Sequence, residues 1–229
     1  MSENLIKSKK RVQAHGEVFT PKWIIEKMLD IPEIKKETEK LDSTFLEPSA
    51  GEGYFLVEIL RRKLSTLTTT DKKSWETYAL RAIASIYAIE LLEDNLAIAR
   101  IALFRFLLDE QERRFGKRAS GKTDFYKAAQ FIIHKNIVQG NTLQRLNKNG
   151  EEIRFSEWRR VKGTRNKIER LPFTYSSLFK EEPQIEQLDL FETGGQMSLF
   201  EDEQIGSPRK YKIVEIHKVY KELLEDEQS

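Results

Sequence analysis

Phe45-Leu46-Glu47-Pro48-Ser49-Ala50-Gly51-Glu52-Gly53-Tyr54-Phe55-Leu56 is the stretch on which the reading of this chain turns. It starts as a short apolar strand, closes that strand with a carboxylate, turns through Gly-x-Gly and runs straight into helical spacing. Glycine lets the backbone adopt positive φ and approach a ligand, and the helix that follows offers unpaired N–H groups at its start. One β-α-β unit later Glu90 ends a second apolar strand, Ile86-Ile89, where an acid can accept hydrogen bonds from both hydroxyls of a ribose. The parts stand in the order that nucleotide binding requires.

Outward from that centre, short apolar runs alternate with longer helical periodicity up to about Leu143, the pattern of a β-α-β arrangement. The spacing predicts a helix over Lys22-Asp30 with Trp23, Ile24, Met28 and Ile25 on its apolar face, Thr20 as N-cap and Pro21 at the first helical position. A first strand is expected at Thr44-Leu46 and a helix from Tyr54 to about Leu64. Further helices are expected over Ser74-Ser85, Asp94-Phe115 and Thr123-His134, and a third strand over Ile137-Gln139. Asn149-Gly150, between Leu143-Leu146 and Ile153-Phe155, is a hairpin signal and predicts antiparallel decoration. Ser207-Pro208 reads as the start of a last helix with Ile213, Ile216, Val219, Tyr220, Leu223 and Leu224 along one side.

From a chain of 229 residues one domain and a tail, or at most two small domains, are expected, and not a large multidomain enzyme. Without cysteine it has neither disulfides nor thiolate-metal sites, and His15, His134 and His217 show no metal-ligand spacing. The most apolar run, Ile101-Leu108, is short and contains Arg105, and Met1-Lys10 has no apolar signal core. No membrane span and a cytoplasmic location are therefore expected. Net charge is only +2, so attraction to nucleic acid must come from local clustering. The charge is uneven: Arg159, Arg160, Lys162, Arg165, Lys167 and Arg170 face one acid, Glu169, whereas 181–206 holds eight acids and no lysine or arginine. This divides the chain into a folded part at 1–180 with a basic hairpin region near 144–170, an acidic flexible segment at 181–206 and a C-terminal helix at 207–229.

With these residues in view, the sequence resembles the N6-adenine-specific, S-adenosylmethionine-dependent DNA methyltransferases, the modification-subunit type of restriction systems. Gly16-Glu17-Val18-Phe19-Thr20-Pro21 is similar to the family's N-terminal cofactor motif and Glu47-Leu56 to its glycine-rich motif. Ile86-Asn95 is similar to the second motif, and Val138-Gln139-Gly140-Asn141-Thr142-Leu143 to the third. The resemblance spans Gly16 to Leu143 and implies a Rossmann-like α/β fold with S-adenosylmethionine as cofactor. By position it implies Phe19, Thr20 and Pro21 at the methionine end and Glu47, Pro48, Ala50, Gly51 and Gly53 around the amino-acid portion. Glu90 would face the ribose and Asn141 the adenine edge, where the family more often has aspartate. A structural reading of the same residues stays open: strand-end carboxylates, a strand-to-helix corner, and Phe19, Tyr54, Phe55 and Leu56 as packing.

The family's catalytic motif, Asn/Asp/Ser-Pro-Pro followed by an aromatic residue, accepts hydrogen bonds from the target amine and stacks on the flipped base. None of the six prolines here is adjacent to another, so the motif is absent and no catalytic residue is assigned. Leu171-Pro172-Phe173-Thr174-Tyr175 has no amide or carboxylate before its proline and reads as a loop or strand. The parallel sheet is also truncated, since a complete member has about seven strands. Two readings follow: a cofactor-binding half that needs a second methyltransferase subunit, or a methyltransferase-derived protein that binds without catalysing. The basic stretch Arg159-Arg170 would suit DNA phosphates or a solvated surface alike. In the tail, Gln187-Leu188-Asp189-Leu190-Phe191 resembles the peptide by which bacterial proteins dock on the replication sliding clamp. Gln196-Met197-Ser198-Leu199-Phe200 is a looser copy; the non-catalytic reading would use them for docking on the clamp or on a modification complex, and Leu190-Phe191 and Leu199-Phe200 would equally suit packing on the domain's own apolar surface.

Overall fold

The computed structural model describes residues 7–15, 17–179 and 210–224. The expected acidic segment, both clamp-like peptides (Gln187, Leu188, Leu190 and Phe191; Gln196, Leu199 and Phe200) and the Ser207-Pro208 start lie outside the described residues. Three short segments, α1 (Lys9–His15), α2 (Lys22–Leu29) and α3 (Pro32–Thr38), precede the first strand. A parallel sheet follows in the order β1 (Phe45–Glu47), β2 (Ile86–Glu90), β3 (Ile137–Gln139), with Phe45 opposite Ile86 and Ala88 opposite Ile137. Parallel neighbours cannot be joined by a tight turn. Helices α4 (Tyr54–Ser65) and α5 (Lys72–Ala84) therefore carry the chain from β1 to β2, and α6 (Glu93–Phe115) and α7 (Asp124–Asn136) carry it from β2 to β3.

The two faces of this sheet have different covers. Side chains alternate along a strand, and β2 is buried at all five positions. Ile86 and Ala88 join Ile137 in the core with the helices. Tyr87 and Ile89 face the other way, into a smaller cluster with Ile153, Phe155 and Tyr175. There Tyr87 meets Phe155 edge-on at 5.5 Å and donates its hydroxyl to the carbonyl of Ser156 at 3.1 Å.

That second cover is an antiparallel sheet, β4 (Arg154–Arg160), β5 (Lys167–Thr174) and β6 (Val214–Glu215), in that order. The expected antiparallel decoration is present, but the hairpin at Asn149-Gly150 is short: Gly150 turns with φ +78, Leu146 bridges Glu152, and the N–H groups of Asn147 and Ile153 reach the carbonyls of Glu151 and Arg145. The real ribbon starts later and turns across 161–166. Leu171-Pro172-Phe173 lies in β5, and Pro172 is tolerated because β6 pairs only with Lys167 and Ile168, leaving β5 an edge farther on.

The expected C-terminal helix is corrected. Val214–Glu215 adds to the edge of β5, and a 3-10 helix follows at Ile216–Lys221 before Glu222 turns left-handed at φ 46. Lys212 N–H then reaches the carbonyl of Leu223 at 2.9 Å, so Ile213 and Leu223 face outward instead of extending a helical stripe. In α2 the buried residues are Ile25 and Leu29, while Trp23 is 56% and Met28 47% exposed. Pro21, not Thr20, is its N-cap.

One buried cation fixes the entry to β1. Lys63 on α4 is fully buried and its Nζ donates to the carbonyls of Lys40, Leu41 and Ser43 at 2.6, 3.1 and 2.7 Å. Burial pushes its ammonium down to about 8, and three carbonyl acceptors hold the proton at neutral pH. Lys63→Met removes all three donors and leaves the carbonyls buried. We expect a loss of about 2–4 kcal/mol, read as a lower urea midpoint at unchanged slope; an unmoved midpoint would show that water replaces the ammonium.

Candidate functional site

The loops leaving β1, β2 and β3 converge at the C-terminal end of the parallel sheet. Ala50 N–H donates to the carbonyl of Ile89 at 3.0 Å, which lays the glycine turn across the end of β2. Gly51 and Gly53 have φ +53 and +86, and the Gly53 carbonyl accepts the N–H of Val57 at 3.0 Å to start α4. The need for glycine differs between them. A methyl group on Gly53 would stand 2.9 Å from Cα of Ala99 in α6, whereas one on Gly51 would meet the Phe19 ring at 3.7 Å, an ordinary contact.

Glu90 sits under this turn, only 5% exposed. Its carboxylate accepts Gly51 N–H at 2.7 Å and Leu92 N–H at 2.9 Å, and its backbone carbonyl accepts Gly140 N–H at 3.1 Å. At the end of β1, Glu47 accepts the N–H of Ser49 at 3.0 Å. Burial pushes the Glu47 carboxyl above its ordinary value; the Ser49 N–H opposes this and the nearby Glu90 charge adds to it. Among the described residues no lysine or arginine forms an ion pair with Glu47 or Glu90. The pair is therefore suited to a ligand that brings a positive charge and hydroxyl groups.

The structure brings Phe19, Glu47, Pro48, Ala50, Gly51, Gly53 and Glu90 together around the turn. Thr20 is half-buried, and Pro21 serves α2, its carbonyl accepting Ile24 N–H at 3.0 Å. Asn141 is occupied locally, since its Oδ1 accepts Gln144 N–H at 3.1 Å while its own N–H goes to the carbonyl of Leu146. Its neighbour Thr142 makes the link across the site, donating to the carbonyl of Pro48 at 2.5 Å.

Sequence reading missed the outer rim. Lys7 reaches Glu52 of the glycine turn at 3.0 Å and Asn95 Oδ1 at 2.5 Å, and Arg11 joins Glu17 to Asp94. The basic run Lys7-Ser8-Lys9-Lys10-Arg11 carries no periodic signal, but Asp94-Asn95 stands inside the Ile86-Asn95 motif. The basic stretch is mostly engaged within the fold. Arg159 pairs with Glu157 and Arg160 with Asp42, Arg165 reaches Ser74, and Arg170 lies against Trp158 and Tyr211 while pairing with Glu222. A cavity of about 280 Å³ opens near Glu52, between α2, α4 and α6, but its walls are mainly apolar and include neither Glu47 nor Glu90. The strand-end acids remain the better candidate on chemical grounds. No helix among the described residues is long and apolar enough to cross a membrane, and they contain no cluster of potential metal ligands.

No family model, curated protein or solved structure matches the chain. The contrast between the two glycines gives a test at the site itself. Gly53→Ala should cost about 1–3 kcal/mol from left-handed backbone alone, and more once α6 must yield. Gly51→Ala should cost the backbone term only. Thermal unfolding of both variants checks the order, and equal melting temperatures would contradict the close α4–α6 approach.

Proposed function

We propose that this chain binds S-adenosylmethionine at the glycine turn, as the cofactor-binding half of a Rossmann-like adenine-N6 DNA methyltransferase whose catalytic and base-binding groups reside on a partner. The observation that carries the proposal is the pair Glu47 and Glu90 at the ends of adjacent parallel strands, flanking a Gly-x-Gly turn and lacking a cationic partner among the described residues. S-adenosylmethionine has an ammonium for Glu47 and ribose hydroxyls for the lone pairs that Glu90 retains. Phe19, against Gly51, would border the methionine end. The four ordered motif resemblances support the same ligand.

No residue is assigned to the methyl-transfer step. The Pro-Pro motif that would hold the target amine is missing from the sequence, so the purified chain alone should place no labelled methyl in DNA above background. Robust single-chain incorporation would refute the division of labour. Restored incorporation with a partner subunit would support it over the binding-only alternative.

Calorimetry of the full chain should give a binding heat for S-adenosylmethionine or S-adenosylhomocysteine. Glu90→Ala should weaken binding roughly tenfold to hundredfold, the equivalent of about 1.5–3 kcal/mol for hydrogen bonds to a charged acceptor. A folded protein that gives no heat with either nucleoside would refute the reading.

The raised carboxyl of Glu47 supplies a sign. An ammonium stabilises only the ionised form, so binding must expel the proton where Glu47 is still partly protonated. Affinity should rise with pH from the ordinary carboxylate value of 4.5 upward and flatten once Glu47 is ionised without ligand. Heats measured just above the ordinary carboxylate range in buffers of different ionisation enthalpy should report a proton release that diminishes as the pH is raised. Proton uptake at the lower pH would place the ligand charge elsewhere.

A further inference from the structure

The segment of residues 7–15 lies against the site by charge and not by packing. Lys7 contacts Glu52 at 3.0 Å, Asp94 at 3.4 Å and Asn95 Oδ1 at 2.5 Å, and its ammonium stands 5.7 Å from the centre of the Phe19 ring. Arg11 binds Glu17 through two nitrogens and meets Asp94 at 3.0 Å. Asn95 is the hub: 1% exposed at the start of α6, it also donates its amide to Glu17 at 2.6 Å. Apolar anchoring is slight, for Val12 is only half-buried and none of residues 7–14 belongs to either core cluster.

These contacts have a pattern. Glu52 belongs to the turn after β1, and Asp94 and Asn95 to the helix after β2, the two elements between which Gly51 and Glu90 meet. The segment thus ties together the outer sides of both walls while Glu17 leads directly to Phe19 on the inner side. Partly exposed ion pairs are individually weak and screened by salt, so a strap held in this way can open locally while the core stays folded.

We propose that residues 7–15 form an electrostatic latch over the glycine turn, which opens for ligand entry and release and is positioned by Asn95. The latch rests on the proposed cofactor site only for the identity of what it encloses. Lys9 and Lys10 are exposed but lie in α1, so loss of the latch frees their backbone for protease and shortens the residence of bound ligand. It leaves the sheet and the remaining helices intact.

The test uses the full chain and trypsin, scored by cleavage after Lys9 and Lys10. Without ligand, cleavage should be slow at about 50 mM salt and faster at about 500 mM. Asp94→Asn should be cleaved at low salt roughly three to ten times faster than the unaltered chain, with the melting temperature nearly unchanged. Asn95→Ala should behave in the same way; should that buried change unfold the protein, Asp94→Asn still decides. Equal cleavage of the unaltered chain and Asp94→Asn at both salt concentrations overturns the latch. S-adenosylhomocysteine should slow cleavage of the unaltered chain and dissociate faster from Asp94→Asn. Tight binding with identical dissociation rates would overturn its role over the ligand. Absence of any binding would instead refute the cofactor reading, and the protease rates without ligand would still judge the latch.

Discussion

Glu90 is the joint on which the loops at the C-terminal end of the parallel sheet depend. Its side chain accepts one N–H from the turn after β1 and one from the turn after β2, while its carbonyl accepts one from the turn after β3. One buried residue thus sets the relative positions of three loops that are remote in sequence. A buried carboxylate without acceptable partners would be costly, and two backbone donors meet only part of its hydrogen-bonding capacity. What remains is acceptor capacity directed at the site, held by bonds that also fix the site's shape.

That arrangement needs a sheet that does not move, and burial of β2 on both faces supplies one. The helices seal Ile86 and Ala88, and Phe155, Phe173 and Tyr175 seal Tyr87 and Ile89. The two covers are stitched together at Asn136. Its amide donates to the carbonyls of Ala84 and Ile86 at 3.0 and 3.3 Å, and its oxygen accepts Trp158 Nε1–H at 2.9 Å. A single buried carboxamide thereby joins the start of β2, the end of α7 and the second sheet, with no polar atom of its side chain left without a partner.

The parallel half was legible because each of its signals is local. Hydrophobic period and the glycine turn can each be read within a dozen residues. The antiparallel half was obscured because both faces of β4 are covered. Phe155 and Trp158 are both buried three residues apart, which an alternating strand permits only if opposite faces are covered. Phe155 faces β2 and Trp158 faces α7, so both faces of β4 are buried and no apolar–polar alternation shows. The C-terminus misled for a related reason. Ile216 and Val219 suit the three-residue period of a 3-10 helix as well as an α-helix, and the open edge of β5 at Ile168 decides in favour of extended Val214. In the site, strand-end acids and glycines were legible. The contacts of Lys7 and Arg11 with Asp94 and Asn95 were not, because those partners are more than eighty residues away.

The acids around the site fall into two groups with different electrostatic duties. Glu17, Glu52 and Asp94 on the rim are taken up by Lys7 and Arg11, and the Arg11 guanidinium holds the Glu17 carboxyl below its usual range. Glu47 and Glu90 at the strand ends receive backbone N–H groups, and Glu47 is pushed in the opposite direction by burial. If both groups were unpaired, five carboxylates at one end of the sheet would repel one another and attract any cation without discrimination. Neutralising the rim leaves the inner pair as the main uncompensated negative charge, at a depth where water screens less and geometry matters more. A small cationic ligand gains most there. The division of charge at this end of the sheet therefore favours cations over anions.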